Sequence, residues 1–179
     1  MNLGIFANDP GGTTGLAWGI FNPHADSIEE AIATRLHSGS CDITGDAPTQ
    51  IREIASIWQS FYRTCVNVGR LPVENVLYIA EDFVPAGGAV GGESQAISLA
   101  VLWGVEGYRM GQADEFKRLK RGAVVHCQPV VRQLASHAKG FGTGPRLKTW
   151  GVWVKGSDHQ RSAWSHIAYY LQKRIIAAR

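Results

Sequence analysis

Leu3-Gly4-Ile5-Phe6-Ala7-Asn8-Asp9-Pro10-Gly11-Gly12-Thr13-Thr14-Gly15 joins a short apolar run to an acid and then to a glycine-rich turn. Residues 3–7 have the length and composition of a buried strand, whose C-terminal end delivers Asp9 into the turn. Glycines there let the backbone turn tightly and let a ligand come close. A carboxylate held on a strand end suits a hard divalent cation, which demands oxygen donors in fixed positions. The same Asp-Pro-Gly also makes an ordinary turn, so this stretch alone leaves both uses open. Residues 16–21 return as a second strand, and the short spacing favours an antiparallel hairpin, with 34–41 as a third strand.

From Pro48 the period changes. Ile51, Ile54, Trp58, Phe61, Tyr62 and Cys65 follow helical spacing, with Pro48 or Thr49 near the start and Gly69 just past the end. Residues 75–80 are again an apolar run of strand length, closed by Glu81 and Asp82. The pattern through Ile97, Val101, Leu102 and Val105 predicts a helix over 93–110, and 123–127 is a further strand candidate. Pro129 is expected to begin a short helix, 141–145 a glycine-rich loop, and 159–177 a long terminal helix. Ser157 and Gln160 stand at capping-box spacing before that helix. Trp58 and Trp103 fall on core-facing positions and are expected to pack inside. Three early strands followed by alternating helices and strands predict an α/β sheet of mixed direction, in one domain over 1–179.

The composition limits the classes of function. A chain of 179 residues with 45% hydrophobic and 18% charged side chains is globular. No apolar run reaches bilayer length, and the first residues lack the pattern of a signal peptide. Cys41, Cys65 and Cys127 are scattered without metal-type spacing, so neither a disulfide framework nor a zinc site is expected, and a reduced cytoplasm fits. The net charge is only +3, yet from Lys117 onward thirteen cations face a single acid, Asp158. Such asymmetry suggests a polyanionic partner, although a basic stretch is also an ordinary solvated face.

Three acidic stations carry the chemistry. The first is Asp9. The second is Glu81-Asp82, where strand alternation sends only one of the two toward Asp9; Glu81 is the expected one and Asp82 a supporting neighbour. The third is the run from Asp158 to His166, in which His159, Ser162 and His166 share one helix face. Asp158 also has an ordinary use as a helix-start acid, and His166 as a half-buried polar residue.

Together these residues resemble the RuvC-like Holliday junction resolvases of the RNase H-like nuclease superfamily, particularly phage-encoded members. The resemblance rests on Asp9-Pro-Gly-Gly-Thr-Thr-Gly, Ile79-Ala80-Glu81-Asp82, and the closing stretch from Leu147 through Asp158-His159-Gln160-Arg161-Ser162-Ala163 to Leu171. It implies a mixed five-stranded sheet, first three strands antiparallel, flanked by helices. It also implies a homodimer that cuts Holliday junctions and other branched DNA in recombination or repair. Four acidic or histidine ligands would hold two magnesium or manganese ions, carried here by Asp9, Glu81 and the Asp158–His159 region. The last acid of the family pattern falls on Ser162, a much weaker metal ligand, which with Asp82 and His166 is placed around the site. Two ions roughly 3.5–4 Å apart would clamp the attacking and leaving oxygens of the scissile phosphodiester. His159 is alternatively a proton acceptor for the attacking water, since an ordinary imidazole titrates near neutrality. Lys117, Arg118, Lys120, Arg121, Arg146, Lys148, Lys155 and Arg161 are the expected phosphate contacts. The helix over 93–110 is the expected dimer element. Two other readings share the first motif: a nucleotide-binding module of the actin-like and sugar-kinase class, and a junction binder that no longer cuts.

Overall fold

A computed structural model describes residues 1–82, 93–118 and 130–177. Five strands form one sheet: β1 (Leu3–Asp9), β2 (Thr13–Phe21), β3 (Leu36–Thr44), β4 (Val76–Asp82) and β5 (Val131–Leu134), in the order β3-β2-β1-β4-β5. β1 pairs antiparallel with β2, and β2 with β3, while β4 runs parallel to both β1 and β5. The expected α/β sheet of mixed direction, with three antiparallel strands first, is what the chain forms.

β1 is central and buried along its whole length, which is why its sequence is a continuous apolar run and shows no alternation. Its side chains nonetheless divide by parity. Ile5 and Ala7 join Ile79, Ala163, Ile167 and Leu171 in one core, beneath α1 (Ile28–Ala33) and α6 (Asp158–Ala177). Phe6 faces the other way, into a core with Trp58, Phe61 and Tyr78 beneath α2 (Ala47–Arg63) and α3 (Glu93–Arg118). Phe6 stacks on Tyr78 at 5.3 Å and meets Trp58 edge-on at 5.6 Å. Continuing the odd-numbered face by two residues carries Asp9 to the α6 side of the sheet, and the same alternation on β4 carries Glu81 there with Ile79.

Several elements differ from the expectation. α1 forms where only a long connection was expected; the Ser27 hydroxyl accepts from the Glu30 N–H at 3.1 Å and caps it. Ser27 and Glu30 stand at capping-box spacing, a signal present in the sequence. The α2 helix runs into a short π-helical turn, Thr64–Val68, that carries the buried Cys65. The strand candidate at 123–127 and Pro129 lie outside the described residues, and β5 occupies Val131–Leu134, where a short helix was expected. Paired valines and alternation favour extended backbone there, and the helix, α4 (Ala135–Phe141), starts one element later. The expected loop at 141–145 is brief and leads directly into α5 (Gly144–Thr149). Trp58 is buried as expected, but Trp103 is 61% exposed on the outer face of α3. Among the described residues no helix is long and apolar enough to cross a membrane.

Candidate active site

The site is assembled at one end of the sheet, where β1, β4 and β5 stop side by side and α4 and α6 approach. Glycine makes the closest approach possible. Gly15 is the ladder partner of Asp9, and a Cβ on it would stand 2.1 Å from the carbonyl carbon of His159. The first turn of α6 therefore rests directly on the β1–β2 hairpin, and His159 Nδ1 comes to 3.2 Å from Asp9 Oδ2. The hairpin turn itself is tied from α2 by Gln50, which is fully buried. Its amide donates to the carbonyls of Gly12 and Gly45 at 3.0 and 2.9 Å, and its carbonyl oxygen accepts from the Thr14 hydroxyl at 2.5 Å. Nothing in the helical pattern of α2 distinguished Gln50; a polar residue one step before the apolar series was the available hint.

Ser157 caps α6 as its spacing with Gln160 foretold, its hydroxyl accepting from the Gln160 N–H at 3.0 Å. The same hydroxyl donates to Asp42 of β3 at 2.8 Å, which pins the helix start to the sheet edge.

Around Asp9 the expected residues divide. Glu81 does face Asp9. Its Oε2 lies 3.3 Å from Nε2 of His166, a fully buried ring whose Nδ1 is 3.0 Å from Oε1 of Gln133 on β5. His166 thus sits behind Glu81 and orients it, and Gln133 orients His166. Asp82, the next residue along β4, is carried by alternation to the opposite face. Ser162 is buried, lines the same cleft, and among the described residues its hydroxyl has no hydrogen-bond partner. Asp158 lines the same cleft only at its exposed outer edge. Its side chain is 91% exposed and pairs with Arg161 one helical turn on. The first residue of a helix points its side chain outward along the axis, and the nearby guanidinium takes it there.

One residue absent from the expected site is central to it. Lys139 of α4 places Nζ 3.0 Å from Glu81 Oε2 and 3.5 Å from Asp9 Oδ1, bridging the two carboxyls. It follows a small-residue helix start, Ala135-Ser136-His137-Ala138, and only the packing of α4 on α6 makes its position significant.

Two carboxyls in so small a volume do not ionise alike. Burial, reinforced by hydrogen bonding to Glu81 and its charge, pushes Asp9 up to about 8. Burial acts upward on Glu81 too, but hydrogen bonds from His166 and Asp9 and the Lys139 ammonium outweigh it and hold Glu81 down at about 2. The two acids therefore titrate as a coupled pair, with Asp9 pushed up and Glu81 held down. Lys139 is held above its ordinary value: burial alone would depress it, but the two acids it bridges prevail.

Asp9, Lys139, His159 and Ser162 open into a cleft of about 420 Å³ whose mouth carries Trp153 and Arg161. The Arg161 guanidinium lies 4.4 Å from the Trp153 ring centre, and the Lys148 ammonium 4.8 Å from it. Lys120 and Arg121 fall outside the described residues, as do the side chains of Lys117 and Arg118 at the end of α3.

No family model matches the chain, and no curated protein is similar to it in sequence. Solved structures are similar in fold. A Thermus thermophilus RuvC structure superposes with a TM-score of 0.52 at 12% identity, covering 98% of this chain and 96% of that one. T. thermophilus RuvC in complex with a Holliday junction substrate superposes with a TM-score of 0.51, also at 12% identity, covering 97% and 96%. The likeness extends over nearly the whole length of both chains, and the fold is RuvC-like.

Proposed function

We propose that this chain is a metal-dependent, structure-selective endonuclease that cleaves Holliday junctions and related branched DNA. The observation that carries the reading is the meeting of Asp9 and Glu81. They come from neighbouring parallel strands to one end of a RuvC-like sheet, where Lys139 bridges them and Asp9 lines a cleft with Lys139 and Arg161.

The donor set fits a hard divalent ion, magnesium or manganese. Asp9 and Glu81 offer carboxylate oxygens, His159 offers a ring nitrogen on the Asp9 side, and Ser162 offers a buried hydroxyl that has no other partner among the described residues. Among the described residues no three His, Cys, Asp or Glu side chains come together as they stand to hold an ion. The physical reason is that Lys139 stands between the two carboxyls and Asp158 is turned away. When bound, the metal supplies charge relief at the scissile phosphate and an activated water. The protein's own contributions are positional. His166 and Gln133 fix the Glu81 carboxylate, Gly15 allows His159 to reach Asp9, and Gln50 holds the hairpin turn that follows Asp9. Arg161, Lys148, Arg146 and Lys155 supply positive charge at and beyond the cleft mouth for the backbone of an incoming strand.

A four-way junction cut symmetrically needs two active sites, and α3 offers the surface for pairing. Ala96, Ala100, Trp103 and Met110 recur along its exposed side, with Trp103 and Met110 61% and 58% exposed. A homodimer through this helix is the proposed assembly.

The outward Asp158 and the serine at position 162 favour one second reading, a junction binder that does not cut. Cleavage of a labelled four-way junction with magnesium or manganese, against a linear duplex of the same sequence, decides between them. Metal-dependent incision of the junction alone is the expected result. Junction binding without incision would leave the binder, and indifference to branching would reject both.

A further inference from the structure

Lys139 is left unused by the mechanism above, yet it makes charge contacts with both central carboxyls. Its ammonium reaches Glu81 Oε2 at 3.0 Å and Asp9 Oδ1 at 3.5 Å. The two carboxyls also hydrogen-bond to each other, and among the described residues His166 Nε2 lies 3.3 Å from Glu81 Oε2 and His159 Nδ1 3.2 Å from Asp9 Oδ2. Each ring touches one carboxyl, whereas the ammonium bridges both.

The backbone under Lys139 is closely packed, while its side chain reaches into an open cleft. Ala138 beside it is fully buried. Beyond it, Gly142 packs so closely on α6 that a Cβ would stand 2.3 Å from the Ser165 hydroxyl oxygen, and that hydroxyl donates to the Gly142 carbonyl at 3.0 Å. The Lys139 side chain itself is 48% exposed and lines the open cleft.

A magnesium or manganese ion binds carboxylate oxygens at roughly 2.1 Å. An ion shared by Asp9 and Glu81 would take the ground the ammonium now occupies, and two cations cannot occupy it together. We propose that Lys139 is a tethered competitor for the divalent cation: its ammonium holds the Asp9–Glu81 pair together, and metal entry displaces it into the cleft. This rests on the nuclease reading, because it takes Asp9 and Glu81 as metal ligands. It makes Lys139 a positioning residue that sets how much metal the site requires. An ordinary half-exposed salt bridge would contribute little and would not be tied to metal affinity.

The test is a calorimetric titration of manganese into the full chain, stripped with chelator and free of DNA. Lys139→Met should bind manganese at least roughly tenfold more tightly than the wild type, and its stripped form should melt lower. Lys139→Arg keeps a cation on the pair and should stay within about threefold of the wild type. Lys173→Met, on the distant part of α6, should stay within about twofold. An affinity of Lys139→Met equal to or weaker than the wild type, or a Lys139→Arg as tight as Lys139→Met, overturns the proposal. Should Lys139→Met fail to fold by circular dichroism, Lys139→Gln is read in its place with the same expectation. A wild type that binds manganese and cuts junctions, beside a variant of unchanged affinity, refutes the competitor and leaves the nuclease. A variant that binds manganese where the wild type neither binds nor cuts supports the competitor and refutes the active nuclease. Absence of binding in both overturns both.

Discussion

Replacing Asp9 by asparagine should abolish metal-dependent cleavage and, at the same time, make the protein more stable at alkaline pH. The carboxyl of Asp9 keeps its proton to about pH 8 in the folded chain, against an ordinary value of 3.8. Between those two values the folded state holds a proton that the unfolded state has released, so stability falls as pH rises from about 4 to about 8. A displacement of about four pH units at about 1.4 kcal/mol each sets a ceiling near 6 kcal/mol. Water in the open cleft lowers the effective penalty to roughly 1–3 kcal/mol. Asparagine has the shape of the protonated acid and its amide can donate to Glu81 at every pH. Asp9→Asn should therefore match the wild type near pH 4 and melt higher at pH 8, by roughly 5 °C for a chain of this size. Glu81 acts in a different window: its contribution is present above its ordinary 4.5 and is lost as pH falls toward about 2. Thermal denaturation from pH 4 to 8 measures the effect, with cleavage of a labelled junction assayed in parallel. A variant less stable than the wild type at pH 8, or a stability difference that ignores pH, would refute the reasoning.

Gly15→Ala places a methyl group 2.1 Å from the His159 carbonyl carbon, so α6 must shift. A loss of roughly 1–3 kcal/mol in denaturant unfolding is expected, with cleavage falling further than stability explains. His159→Ala should lower cleavage by orders of magnitude, whereas Asp158→Asn should change it less than about threefold, because that carboxylate lies at the rim against Arg161. An Asp158→Asn as inactive as His159→Ala would show that the acid turns inward when the site is loaded. Trp103→Glu on the exposed face of α3 should leave the fold intact and convert a dimer to a monomer in analytical ultracentrifugation. An unchanged sedimentation coefficient would place the interface elsewhere.

The first three strands, the mixed sheet and the acids that end β1 and β4 were legible in the residues alone, for a common reason. β1 and β4 are buried on both faces over their apolar stretches, so each reads as a short continuous apolar run. Each ends abruptly in an acid that has no business in a core. Such a boundary is local information. The two-residue period of a strand allowed only one of Glu81 and Asp82 to reach Asp9, and the packing of β4 beside β1 makes it Glu81. The helix over 47–63 was readable because one stripe of it is apolar, and the start of α6 because Ser157 and Gln160 stand three apart.

What the tertiary structure decided is every matter that depends on the direction of approach. Periodicity put Trp103 among inward-facing positions, but α3 packs through Val101, Leu102 and Val105 and leaves the indole outside. Asp158 and His159 are neighbours in the chain; one turn of helix sends the first to solvent beside Arg161 and the second to Asp9. Lys139 and Gln50 carry no pattern of their own, and each became part of the site only when its helix docked beside the end of β1. Proximity across 130 residues from Asp9 to Lys139 is a property of packing, and packing is specified by the whole core and by no single stretch of it.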